Sequence, residues 1–277
     1  MRPARVDDKE GVLAFCQNTF SWGDYITDTW DRWLAGDDGQ MLVGIVDQQP
    51  VALIHIAFID DGVAWLEGMR VHPDFRRRGI GGAVDQAART FARERGSCLA
   101  RLATSIKNIP AQKTLAKERY TCVARFNEWQ AKPARIEFSS MRRAARNDAD
   151  RILELWRASP TRAASALLQD RHWRWTELSH ARLLDHLDAG EVRMAEGGFA
   201  LLLTFDEHDW SGTNLHALVG DEESMFTLAF AARGETAYRG YPHVEAMLVD
   251  QPPVNAALER AGYRRDSGML IYEQTLG

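Results

Sequence analysis

The residues best placed to do chemistry stand where an apolar strand pattern meets a helical one. There the chain reads Val71-His72-Pro73-Asp74-Phe75-Arg76-Arg77-Arg78-Gly79-Ile80-Gly81-Gly82-Ala83-Val84. Glycines let backbone turn tightly and approach a ligand, and the unpaired N–H groups at the positive end of a helix attract oxyanions. Arg76, Arg77 and Arg78 add charge and bidentate donors. The stretch reads as an anion site, or as an ordinary basic loop with a helix cap. No Gly-Lys-Ser/Thr follows, so it is not a Walker loop, and the glycine spacing is not that of the dinucleotide fingerprint.

A second candidate lies just before it, on the strand pattern Ala64-Trp65-Leu66-Glu67-Gly68-Met69-Arg70-Val71. Strict alternation places Trp65, Glu67, Met69 and Val71 on one face. A carboxylate among apolar side chains is desolvated, which raises its pKa toward the range of a general base. Glu67 is therefore a candidate base, the alternative being a strand glutamate paired with an arginine. His55, in Val51-Ala52-Leu53-Ile54-His55-Ile56-Ala57-Phe58, alternates with Leu53 and Ala57 and reads as a core or cleft-edge histidine. No spaced His or acidic set suggests a metal.

The elements needed to position these groups occur twice. Arg2-Pro3-Ala4-Arg5-Val6-Asp7 recurs as Arg143-Ala144-Ala145-Arg146-Asn147-Asp148, at an offset of about 141 residues, and each copy leads into a helical pattern. In the first half, strand 64–71, helix 80–95, strand 98–104, helix 110–118 and strand 120–129 follow. The second half supplies strand 214–219, helix 222–233, strand 244–249, helix 253–261 and strand 269–274. Alternation of this kind predicts an α/β or α+β fold in two copies, 1–130 and 137–277, each with a mixed, mostly antiparallel twisted sheet flanked by helices. At the position matching the Gly-rich loop, the second copy reads Gly220-Asp221-Glu222-Glu223-Ser224. Carboxylates there suit the helix dipole but repel an anion, so the second copy is expected to have lost the site.

The loop and its context resemble the GCN5-related N-acetyltransferases, whose Val-x-Pro and Arg-x-x-Gly-x-Gly map onto Val71, Pro73, Arg76, Gly79 and Gly81. Asn108-Ile109-Pro110-Ala111 and, imperfectly, Arg119-Tyr120 match the family's later elements. The resemblance implies acetyl-coenzyme A as co-substrate, and the lack of a spaced His or acidic set predicts no metal. Its pyrophosphate would be held by Arg76, Arg77, Arg78, Gly79, Ile80, Gly81 and Gly82, with Asn108, and with backbone groups of Met69 and Val71 for pantetheine and thioester. It implies direct acetylation of an amine, on a small molecule or peptide, in a ternary complex. Trp22, Asp24 and Tyr25 in Phe20-Ser21-Trp22-Gly23-Asp24-Tyr25 fall where the family forms its acceptor wall, and aromatic and acidic groups suit an ammonium. Trp30 and Trp33 are expected in the core, with Asp28 capping their helix. The family's tyrosine acid is replaced by Leu115, so a catalytically silent coenzyme A-binding sensor or interaction protein stays open as the alternative.

Composition narrows the setting. A net charge of -5 argues against a general nucleic-acid binder. A chain 45% hydrophobic and 26% charged, with neither a membrane span nor a leader pattern, reads as cytoplasmic. Cys16, Cys98 and Cys122 read as thiols of a reducing compartment. A monomer or a homodimer is expected.

Overall fold

The computed structural model describes all residues except 18, 20–22, 136–140, 171–172 and 208–209, and the side chains of 206, 207 and 210. In chain order the elements are β1 (Arg2–Pro3), α1 (Lys9–Cys16), α2 (Ile26–Ala35), β2 (Gly39–Val46), β3 (Gln49–Asp60), β4 (Val63–Val71), α3 (Ile80–Glu94), β5 (Leu99–Ser105), α4 (Ile109–Lys117) and β6 (Thr121–Ala131). They continue with β7 (Arg142–Arg143), α5 (Ala149–Ala158), α6 (Pro160–Ala164), β8 (Leu167–Asp170), β9 (Arg174–Glu177), α7 (His180–Ala189) and β10 (Val192–Ala195). The chain closes with β11 (Gly198–Glu207), β12 (Trp210–Gly220), α8 (Glu222–Tyr238), β13 (His243–Val249), α9 (Pro252–Arg260) and β14 (Arg264–Thr275).

The expected α/β class is observed, with most strand pairs antiparallel and one parallel pair per copy, β4 with β5 and β12 with β13. The order of elements repeats, but the register of the repeat is 140 rather than 141. Arg2 grips Asp8 through two hydrogen bonds of 2.7 Å, and Asp8 accepts from the Arg5 N–H. Arg142 grips Asp148 in the same fork, and Asp148 accepts from the Ala145 N–H. The equivalent pairs are thus Arg2 with Arg142 and Asp8 with Asp148. Matching identical letters slid the copies by one residue, whereas a fork needs its arginine six residues before its carboxylate.

Two compact units cut across the boundary expected near residue 130. The first comprises Met1–Ala103, Ile109–Thr121 and Tyr272–Gly277, the second Thr104–Asn108 and Cys122–Ile271. In the first unit the strands run β1-β2-β3-β4-β5 and then the end of β14, where Leu276 N–H bonds Cys98 O and Arg101 bonds Glu273 (2.7 Å). In the second unit the order is β14-β6-β13-β12-β11-β10-β7. The strand closing the first copy, β6, pairs antiparallel with β13, and β8 and β9 form a separate hairpin.

Periodicity explains the packing of the first unit. In α1, Val12, Phe15 and Cys16 are buried at helical spacing, and in α2, Ile26, Trp30 and Trp33. These helices cover one face of β2 and β3, in a cluster with Met41, Val43 and Leu53. Each large apolar side chain so buried contributes roughly 1.5–3 kcal/mol. On the opposite face, Val84, Ala88 and Ala92 of α3 pack on β3 and β4, which is why every residue from Val51 to Ala57 is buried. Asp28 does not cap α2 but sits inside its first turn; the N-cap is Tyr25, and Asp24 just before it accepts from the Ile26 N–H (3.1 Å).

Candidate active site

The Gly-rich loop opens α3 as its residue types require. Pro73–Phe75 forms one 3-10 turn, Arg77 takes φ +61°, and Gly79 takes φ +80° as N-cap. Such left-handed backbone favours glycine. A Cβ added at Gly79 or Gly81 would meet no atom within 4 Å, and at Gly82 only the Glu118 carboxylate comes near (3.1 Å). The first turn, with Ile80, carries no acidic side chain. Its first N–H groups have no acceptor within the helix and stand at its positive end. Arg76, Arg77 and Arg78 are exposed beside it. Arg76 donates to Val71 O (3.1 Å), and Arg78 lies over Phe75.

Glu67 and His55 are brought together across the β3–β4 ladder. His55 Nδ1 is 2.9 Å from Glu67 Oε1, and Trp65 Nε1–H donates to Glu67 Oε2 (3.1 Å). The imidazole is completely buried and stacks on Trp33, ring centroids 4.4 Å apart. Its Nε2 faces Asp38 Oδ1 at 3.6 Å, longer than a hydrogen bond. Asp38 is about one-third exposed, so the three residues lead from the site toward solvent.

Alternation fails past Glu67. Ala57 pairs with Trp65, His55 with Glu67, and Leu53 with Arg70, so two residues, Gly68 and Met69, stand opposite one. This is a β-bulge, with Gly68 at φ +68°. A Cβ on Gly68 would lie 2.6 Å from the Trp33 ring. The bulge places Arg70, not Met69 or Val71, on the face of Trp65 and Glu67. It also re-aims the end of β4, whose parallel pairing with β5 stops at Trp65 and Arg101 while both strands continue. The two strands part there, leaving Met69 and Val71 at the edge of the split.

Arg70 forms a two-point fork with Asp24 (2.7 and 3.0 Å) and lies over the Tyr25 ring, 5.1 Å from its centroid. Asp24, with a side chain only 1% exposed, is therefore committed to an internal cation rather than open to an ammonium. Burial pushes the Tyr25 hydroxyl above its ordinary range. Trp22 lies outside the described residues. Asn108 N–H bonds Ser105 O (2.9 Å) in the turn into α4, Leu115 is buried, and Tyr120 OH donates to Asp85 (2.8 Å) in the core.

The corresponding start of α8 is closed. Asp221 caps it by accepting from the Ser224 N–H (2.8 Å), with Glu222 and Glu223 in the first turn. Backbone hydrogen bonding holds the Asp221 carboxyl below its ordinary range.

A bulged strand, a parallel pair that parts and a glycine-rich helix start thus lie in succession in the first unit. Residues 12–119 match the acetyltransferase (GNAT) family. The whole chain is similar in fold to a GCN5-related N-acetyltransferase from Sphaerobacter thermophilus, with TM-score 0.68 and 14% identity over 99% of this chain and 95% of that one. It is also similar to a tandem GNAT protein from the clavulanic acid biosynthesis pathway, with TM-score 0.61 and 17% identity over 100% and 98% of the two chains. Comparison with curated proteins finds no match.

Proposed function

We propose that the first unit is an acetyl-coenzyme A-dependent N-acetyltransferase acting on a primary amine by direct attack in a ternary complex. The observation that carries this reading is the start of α3, an acid-free helix N-terminus whose glycines face open space, directly after the bulged strand bearing Glu67. The residues fit the coenzyme: Gly79, Ile80, Gly81 and Gly82 offer backbone N–H groups to a pyrophosphate, with Arg76, Arg77 and Arg78 as exposed cations around it. Met69 and Val71, at the split, hold pantetheine and thioester, and Asn108 supports the turn into α4. When bound, acetyl-coenzyme A supplies an activated acetyl thioester.

Glu67 takes the proton from the attacking amine. His55 holds the Glu67 carboxyl in place through Nδ1. Tyr25 lines the acceptor wall, and Asp24 acts through Arg70 by fixing it over the Tyr25 ring. The second copy, with Asp221, Glu222 and Glu223 at its helix start, is a GNAT-like domain that does not bind the coenzyme.

Thiol release from acetyl-coenzyme A, measured with a broad amine panel, tests the proposal. Absence of thermal stabilisation by acetyl-coenzyme A would overturn it at the first step. Buried Leu115, in place of the family tyrosine, favours a silent coenzyme A-binding protein instead, and thiol release with any amine excludes that reading.

A further inference from the structure

The second unit carries a group of carboxylates that the proposed transferase reaction does not use. Their placement follows from alternation along three neighbouring strands. On β13, Val244 and Ala246 enter the core beneath α8 and α9, so Glu245 between them faces the other way. On β6, Trp129 enters the same core and Asn127 bonds Asn255 of α9, so Glu128 also faces away. On β14, Arg265 lies over the Trp129 ring at 5.0 Å, which turns Asp266 to the opposite face. Glu128, Glu245 and Asp266 therefore share one face of the sheet. They interact: burial and repulsion from Glu128 and Asp266 push the Glu245 carboxyl up to about 7. Burial and repulsion from Asp266 raise Glu128 as well, and Lys107 offsets part of this.

A second observation comes from β12. Asn214 is the register partner of Glu245 on the parallel strand. Its neighbours Thr213 and Leu215 point to α8, Thr213 bonding Thr236 and Leu215 joining the core, so Asn214 points to the carboxylate face. It is only 8% exposed, and its Oδ1 has no hydrogen-bond partner. A buried acceptor without a donor costs stability, so Asn214 calls for an N–H or ammonium donor on that face.

Aromatic rings adjoin the group. Phe126 alternates onto the same face as Glu128 and meets Trp175 of β9 edge-on, centroids 5.6 Å apart. Trp173, 6.3 Å from Trp175, is half-exposed at the hairpin turn. Among the described residues no three His, Cys, Asp or Glu converge as metal ligands, so the carboxylates are spread over a face rather than gathered on one ion.

The geometry points to a second, non-catalytic site in the second unit, which binds a small organic cation with more than one ammonium group between Glu128, Glu245, Asp266 and the Asn214 amide oxygen. Separated carboxylates match separated ammonium groups, and aromatic faces favour alkylammonium chains. The site needs neither the coenzyme nor the chemistry at Glu67.

Isothermal titration of spermidine into the full chain tests this. The wild type is expected to bind, and an uncharged diol of similar length is not. Glu245→Gln removes one charge without changing shape and is expected to weaken binding about tenfold or more. Asn214→Leu weakens it through the lost acceptor. Glu67→Gln, in the other unit, is expected to keep the wild-type affinity, and Glu245→Gln is expected to keep thermal stabilisation by acetyl-coenzyme A, which separates this test from that of the transferase. Unchanged affinity in both second-unit variants, absence of binding in the wild type, or equal loss in Glu67→Gln would overturn the proposal.

Discussion

Glu67 Oε1 lies 2.9 Å from His55 Nδ1, and the histidine is pinned from behind by the stacked Trp33 ring. The pair holds the carboxylate in one rotamer with a proton partner attached. Glu67→Gln preserves shape and is expected to cut turnover about 100- to 10,000-fold, the usual worth of a general base, while acetyl-coenzyme A still stabilises the protein thermally. His55→Gln is expected to retain more activity but to displace the limb of the pH–rate profile that reports deprotonation of the base. An unshifted profile would leave His55 a packing residue.

The Asp24–Arg70 fork makes a different prediction. Both side chains are largely withdrawn from water, so removing one partner strands the other. Asp24→Asn is expected to destabilise the fold by about 3–5 kcal/mol, read as a lower midpoint in urea. The double variant Asp24→Asn/Arg70→Met should recover part of that loss.

Gly81 separates stability from binding. A side chain there meets no atom within 4 Å, and an acid in the first helical turn gains about 0.3–1 kcal/mol from the helix dipole. Gly81→Asp is therefore expected to leave the melting temperature equal or higher while abolishing stabilisation by acetyl-coenzyme A. Retained stabilisation would mean that the pyrophosphate binds elsewhere.

Thiol reactivity should divide the cysteines. Burial, followed by the nearby Asp24, pushes the Cys16 thiol up to about 12, although Arg70 partly opposes this, whereas Cys98 and Cys122 are exposed. Iodoacetamide at mildly alkaline pH is expected to modify Cys98 and Cys122 in the folded protein and Cys16 only after unfolding, as read by peptide mass.

Glu245 sets a pH dependence of stability. Its folded pKa, about 7, lies above the ordinary carboxylate value. Between those two values the unfolded chain has already released the proton that the native state still holds. Stability from this group is thus fully present in acid and is lost as pH rises through about 7. Glu245→Gln is expected to flatten that part of a melting-temperature profile, and an unchanged slope would assign it to other groups.

What the sequence made legible was local. Helical spacing located Trp30 and Trp33, and the glycine and arginine spacing located the start of α3, because both signals lie within a few residues. Counting in twos hides the bulge, although Gly68 inside a strand pattern is its visible mark. Nothing local marks Arg70, because its partners, Asp24 and Tyr25, lie more than forty residues away and meet it only through the fold. Asp24 was singled out for its charge, and that charge is met by Arg70. Glu245, Glu128 and Asp266 come from three distant segments, and nothing near any of them in the chain marks it as part of a group.

The crossing of segments between the compact units has an evolutionary corollary. Since β6 completes the sheet of the second unit and residues 272–277 close that of the first, neither half is a spare part that can be deleted. Under the proposed function, a change that closed the start of α8 to anions would be retained, because the polypeptide carrying it also supplies the closing edge of the unit that keeps the glycine loop. Duplication followed by such mutual dependence works as a ratchet: chemistry can decay in one copy while selection for folding preserves its architecture.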